Sequence, residues 1–309
     1  MLEIPKTELT VSPLGLGTVH AGVAWSEPES HRMMDAYVDL GGNLLDTARV
    51  YSDWVPSEIG RSERVVGDWL QQSKKRNQIV LMTKGGHPKD GVPHRMTAQD
   101  MRYDVELSLK TLRVNEIDIY FYHRDDVSLP VEETIETMET FRREGKIRYY
   151  ACSNWSAERI LAADNYCREQ GYRGFVANEA LMNLGTKQMG TLSDPTLEVL
   201  GADLMAYHQA NPQNVAMPYS GIAGGYFHRY INGVIRDNDS YHTPENAKLA
   251  ERCKTLMEKY DATISQVVLG FFTTQPFACV PLYGPKSIAE LADAMKYSVI
   301  KFDPADFII

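Results

Sequence analysis

A chain of 309 residues, 43% hydrophobic and 24% charged, has the composition of a globule with a sizeable core. Its net charge of −9 excludes a general binder of nucleic acid or anionic membrane, which needs a basic surface, and leaves room for a local basic phosphate pocket. No run of ~18 apolar residues predicts a membrane span. The amino terminus lacks the basic start and apolar stretch of a signal peptide. Cys152, Cys167, Cys253 and Cys279 form no CxxC pair, which suits a reducing, cytoplasmic setting. The histidines show no paired ligand spacing, so no metal is expected.

In chain order, an apolar strand over residues 14–19 is followed by a helix over 30–40. Strand 43–46 and helix 62–72 come next, then strand 79–84 and helix 98–112 behind an N-cap at Thr97. Strand 117–123, helix 131–143, strand 147–153 and a helix over 157–169 capped by Ser156 continue the alternation. The remaining predicted units are strand 175–181, helix 194–200, strand 204–207, helices 245–260 and 265–274, strand 278–282, and helix 287–297 with Ser287 as its cap. Near-continuous apolar strands separated by helices imply a parallel sheet buried on both faces. Eight such units predict an α/β fold, a single (β/α)8 TIM barrel over 1–309, with no linker that would divide it. The stretch 209–244 is polar and rich in Gly. It reads as a long loop inserted after the seventh strand, over the active-site face, where it could act as a lid.

Four side chains stand at or just past predicted strand ends. Asp46 lies in GGNLLDTARVY, with Tyr51 five residues on; Lys84 closes IVLMTK; His123 closes IDIYFYH. In a parallel barrel, all strand carboxyl ends open on one face, so these residues converge. A carboxylate, a phenol, an ammonium and an imidazole in one cleft are the parts of a proton-transfer site. Singly, each has an ordinary reading: a half-buried Tyr, a structural Lys–Asp pair, a satisfied core His. The ordered set favours chemistry.

These motifs, with GLGTVH (15–20), SERVVGDWL (62–70), GKIRYYACSNW (145–155) and GPKSIAEL (284–291), resemble the aldo-keto reductases in order and spacing from about residue 14 to 296. The resemblance implies a (β/α)8 barrel that binds NADP(H), with NAD(H) possible, without a Rossmann unit. Gly15-Leu-Gly17 accordingly lacks the third Gly of a dinucleotide fingerprint. It implies hydride transfer between that cofactor and a small aldehyde or ketone, with a sugar among the options. Tyr51 is then the general acid, Lys84 the group that makes the phenol more acidic, Asp46 the partner of Lys84, and His123 the residue that positions the carbonyl oxygen.

The same resemblance assigns cofactor contacts to Gly17 and Thr18, to Ser153 and Asn154 at the carboxamide, and to Asn178 in place of a Gln. Tyr207 is expected to stack on the nicotinamide, with Tyr219 in PYSGIAGGYF (218–227) as the other candidate. Gly284, Lys286 and Ser287 are expected at the phosphates, and Glu290 and Asp293 near adenine, where Ala294 replaces a frequent Asn. His20, Trp25, Trp54 and Trp155 follow strand ends and are expected to wall the substrate pocket. Two other readings stay open: a Schiff-base aldolase using Lys84, and a cofactor-binding regulatory subunit without turnover. The expected partner is a small carbonyl or alcohol. Substrate, direction and oligomeric state are not legible.

Overall fold

The computed structural model describes all residues except 90, 191, 193, 237 and 309. An antiparallel hairpin, β1 (Leu2–Glu3) and β2 (Thr10–Val11), comes first. Eight parallel strands follow: β3 (Gly15–Gly17), β4 (Leu44–Asp46), β5 (Val80–Gly85), β6 (Ile117–Tyr122), β7 (Ile147–Ser153), β8 (Ala177–Glu179), β9 (Val215–Ala216) and β10 (Leu282–Tyr283). They pair in sequence from β3 to β9, and β10 pairs with β3. A parallel bridge from Ala216 to Cys279, with the Val280 amide donating to the Ala216 carbonyl at 2.8 Å, closes the circle. The sheet is the barrel that eight βα units require.

The helices around it are α1 (Glu27–Asp39), α2 (Arg61–Ser73), α3 (Ala98–Leu112), α4 (Val131–Arg143), α5 (Ala157–Gln170), α6 (Ala202–Ala210), α7 (Tyr226–Ile231), α8 (Pro244–Tyr260), α9 (Ile264–Thr273) and α10 (Ile288–Ala294). Thr97, Ser156 and Ser287 each accept the backbone N–H of the residue three positions on, as N-caps do. No described helix is long and apolar enough to cross a membrane.

β5 and β6 are buried at every position, because both sheet faces are covered. Met82, Ile119, Phe121 and Val215 fill the interior. Tyr120, Tyr122, Tyr150 and Cys152 point outward into the helical layer, beside Met101, Ile135 and Met138. Ile4, Leu9 and Val11 of the hairpin join the interior cluster with Val80 and Val176. They plug the amino-terminal end, so the carboxyl end is the open one.

Two expectations need correction. The apolar run at 204–207 is not a strand: it lies in α6, where Leu204, Tyr207 and His208 are buried at helical spacing. The seventh barrel strand is β9, and residues 194–200 form turns and a bridge rather than a helix. The long connection after the seventh strand is therefore 217–243, and it is not a structureless polar loop. It contains a 3-10 turn (Ala223–Gly225) and α7. Ala223, Tyr226 and Phe227 pack into one cluster with Leu249, Val267 and Val268 of α8 and α9. Full burial of an aromatic side chain contributes ~1.5–3 kcal/mol, so Tyr226 and Phe227 anchor the middle of this segment to α8 and α9.

Candidate active site

Asp46 and Ser153 end their strands, Lys84 stands one residue before the end of β5, and His123 stands one residue beyond β6. All four reach the open mouth because strand ends in a parallel barrel share one level: Asp46 is in register with Met82, and Lys84 with Phe121. Tyr51 arrives on the turn after β4. That turn is tied down by an ion pair between two buried side chains, Arg49 and Glu63, at 2.5 Å, and Thr83 donates to the other Glu63 oxygen at 2.7 Å. Gly60 explains its place in the sequence here. Its φ is +70°, and a Cβ there would lie 1.9 Å from the Arg49 guanidinium.

Lys84 is the hub. Its ammonium pairs with Asp46, donates to the Tyr51 hydroxyl at 3.1 Å and to the Thr47 carbonyl at 3.2 Å, and lies 3.3 Å from a Glu179 oxygen. Burial alone would discharge a lysine, but Asp46 first, with Glu179 adding to it when ionised, outweighs burial and holds Lys84 above its usual range. It is charged at any physiological pH. A Schiff-base nucleophile needs a neutral amine, so the aldolase reading loses its physical basis.

Burial and the Asp46 charge push the Tyr51 phenol above its usual range, against the pull of Lys84. Lys84 acts in the expected direction, toward a more acidic phenol, but burial and Asp46 outweigh it, and the phenol is kept protonated. His123 touches the Tyr51 ring edge-on at 5.8 Å. Burial, then Arg124, His87 and Lys84, hold it well below the usual imidazole range, hence neutral. Its Nδ1 is buried without a partner.

Asp46, Tyr51 and His123 line one cleft of about 580 Å³, with Gly17, His20, Ser153, Asn154, Tyr219 and Lys286 among its walls, and Lys84 is buried beneath them. A chain model of the aldo/keto reductase family matches residues 13–308. The chain belongs to that family. The chain is 29% identical over 316 residues to the uncharacterized oxidoreductase YrpG of Bacillus subtilis, a match covering 96% of this chain and 90% of that one. It is also 29% identical over 204 residues to an aryl-alcohol dehydrogenase [NADP(+)] of Phanerodontia chrysosporium, covering 60% of this chain and 51% of the relative. Norsolorinic acid reductase B of Dothistroma septosporum is 31% identical over 194 residues, covering 58% and 48%. In the last two comparisons, the match spans about half the relative's length.

For an aldo/keto reductase, the placement of the expected cofactor residues divides. Gly17, Ser153, Asn154, Gly284 and Lys286 line the cleft. Ser287 caps α10 by accepting the Glu290 amide, and Glu290 accepts the Lys286 amide at 2.8 Å. Lys286 has no carboxylate within ion-pair distance among the described residues. Thr18 lies beneath the surface, donating to the Asp46 carbonyl at 2.8 Å. Asp293 faces α9 instead of the cleft, accepting from Thr263 and Gln266. Asn154 has φ +61°, a left-handed backbone that Asn tolerates. Its amide is saturated: it donates to the His123 carbonyl and Ser153, and accepts from Tyr219 and the Glu198 amide.

Asn178 and Tyr207 are corrected outright. Asn178 points outward toward His208, at 3.4 Å, while Glu179, one residue on, points in. A β-strand alternates faces at every residue, so a one-residue displacement selects the wrong side. Tyr207 sits in α6 and donates to Asp164 at 2.7 Å, away from the cleft; of the two candidates, Tyr219 lines it. Of the four substrate-wall candidates, His20 alone lines the cleft. Trp25 is buried and donates to the Pro285 carbonyl. Trp155 is buried between Tyr122 and Phe175 in the helical layer. Trp54 is 61% exposed on the turn after β4.

The sequence reading did not single out Glu179, Arg124 or Arg229, which also line the cleft. Arg124 donates to the His123 carbonyl and to Thr196, and pairs with Asp194 at 3.4 Å. It fastens the 194–200 segment to the mouth of the barrel.

Proposed function

We propose that the chain transfers a hydride between NADP(H) and a small aldehyde or ketone, with Tyr51 as proton donor in the reducing direction. The observation that carries this reading is the single ammonium of Lys84 touching both the Asp46 carboxylate and the Tyr51 hydroxyl, beside a neutral His123. Asp46 keeps Lys84 charged and fixed. Tyr51 remains a phenol until a stronger base, a developing alkoxide, takes its proton, and Lys84 then faces the phenolate left behind. His123, being neutral, has one N–H to give to a carbonyl oxygen and one acceptor nitrogen.

A nicotinamide cofactor supplies the hydride when bound, and the residues present fit one. Glu179 Oε1 is buried without a protein partner and would accept from an amide N–H. Lys286 at the start of α10 would face a phosphate. Tyr219, Gly221 and Gly284 offer an aromatic face and close backbone approach along the same cleft. The names of the aryl-alcohol and norsolorinic acid relatives support an aromatic carbonyl or alcohol as the first substrate class to try. The four free cysteines support a reducing cytoplasmic setting. The test is oxidation of NADPH and reduction of NADP, followed by absorbance across aromatic and aliphatic aldehydes, ketones and alcohols. Turnover above background with at least one carbonyl is expected; tight cofactor binding with no turnover of any would overturn the enzymatic reading.

A further inference from the structure

Two carboxylates share one ammonium at the floor of the cleft. Lys84 pairs with Asp46 and lies 3.3 Å from Glu179. Glu179 is 1% exposed, and its Oε1 is a buried acceptor with no protein donor. Asp46 and Glu179 also line the open cleft. With both carboxylates ionised, this floor is one positive charge short. The other groups that bear on Glu179 do not supply it. Tyr51 and Tyr219 are phenols held protonated, His123 is neutral, and Cys152, behind the strand, is held as a thiol by burial. The Arg124 guanidinium is engaged by Asp194 and Thr196.

We propose that Glu179 makes this cleft discriminate between the two redox states of its cofactor, binding the oxidised, cationic nicotinamide more tightly than the reduced, neutral one. The inference rests on the nicotinamide reading above and adds which redox form this chain's own carboxylate selects. A positive ring would offset the charge of an ionised Glu179; a neutral ring leaves Glu179 favouring its protonated form. In a low-dielectric site, such an interaction is strong enough to change an equilibrium by an order of magnitude or more.

Proton linkage follows. Burial, with Asp46 adding to it against the pull of Lys84, raises the Glu179 carboxyl to about 8. At neutral pH, Glu179 in the free protein is largely the neutral acid. Binding a cationic ring favours its ionisation, so the COOH becomes COO⁻ and one proton leaves to solvent. Affinity for the oxidised form should therefore strengthen as pH rises toward about 8 and level off beyond, while affinity for the reduced form stays nearly flat.

The experiment measures dissociation constants of NADP⁺ and NADPH for the full chain and for Glu179→Gln, which keeps size and removes the charge. In the wild type, proton release on binding each form is measured in addition, by calorimetry in buffers of different ionisation enthalpy. The account expects Glu179→Gln to weaken NADP⁺ about tenfold or more relative to NADPH, and the wild type to release protons with NADP⁺ only. Loss of both forms by the same factor, or proton release equal for the two, would overturn it and leave Glu179 as a wall of the cleft. If Glu179→Gln fails to fold, the wild-type proton release decides alone. A wild type that binds neither form overturns the nicotinamide reading, and this inference with it, which distinguishes that failure from loss of discrimination with both forms still bound.

Discussion

The Tyr219 hydroxyl donates a 2.7 Å hydrogen bond to the side-chain oxygen Oδ1 of Asn154, joining the end of β7 to the segment that follows β9. Asn154 is the residue in the left-handed conformation, and its amide also holds the His123 carbonyl at 3.2 Å. Removing one donor from this buried group should cost on the order of 1 kcal/mol. Tyr219→Phe is therefore expected to lower the unfolding free energy by about that much while keeping the aromatic wall. Tyr219→Ala should weaken cofactor binding as well. Tyr207→Phe should destabilise the fold through Asp164 and Asn214 without touching cofactor affinity. Denaturant titrations and cofactor titrations on the three variants check this; a cofactor defect confined to Tyr207→Phe would reverse the assignment.

A phosphate contact is expected of Lys286, a cleft residue at the start of α10. Lys286→Met should weaken NADPH by about 1.5–3 kcal/mol, the scale of a charged hydrogen bond, and leave NADH nearly unchanged. Dissociation constants for both cofactors measure it. Equal losses would place Lys286 at a phosphate common to the two.

Stability should depend on pH through Glu179. Its carboxyl titrates near 4.5 when unperturbed and is raised to about 8 in the folded chain. The unfolded chain thus gives up this proton at lower pH than the folded chain does. The stabilisation is full below about 4.5 and is lost progressively as pH rises to about 8. Glu179→Gln lacks this loss. Measured across that window by chemical denaturation, the variant should gain stability relative to the wild type by an amount on the order of a few kcal/mol. A difference constant with pH would mean that Glu179 is ionised throughout.

The reach of the sequence follows strand length. β5, β6 and β7 are six or seven residues long, with apolar runs that ended visibly at Lys84, His123 and Ser153. β8 has three residues and β9 two, too few for alternation to declare itself. Local sequence therefore points to Asn178 where Glu179 faces the cleft, and the apolar run ending at Tyr207 mimics a strand that comes later. The spacing of Leu204, Tyr207 and His208, helical rather than alternating, was the available signal. Trp25 and Trp155 leave the cleft for another reason. Both follow strand ends, but their indole N–H groups find backbone carbonyls at Pro285 and Arg124, which turns them away from the cleft. Such long-range partners are not written in local sequence. The tie between Arg49 and Glu63 belongs to the same class.

The central claim, that Tyr51 gives the proton while Lys84 and Asp46 hold it in place, is tested most directly by Tyr51→Phe. The substitution removes one hydroxyl and keeps the ring against His123. The measurement is kcat for carbonyl reduction together with the dissociation constant for NADPH. The account predicts a fall in kcat of ~10²–10⁴ with cofactor affinity little changed. Turnover close to that of the wild type, on a carbonyl the wild type reduces, would contradict it.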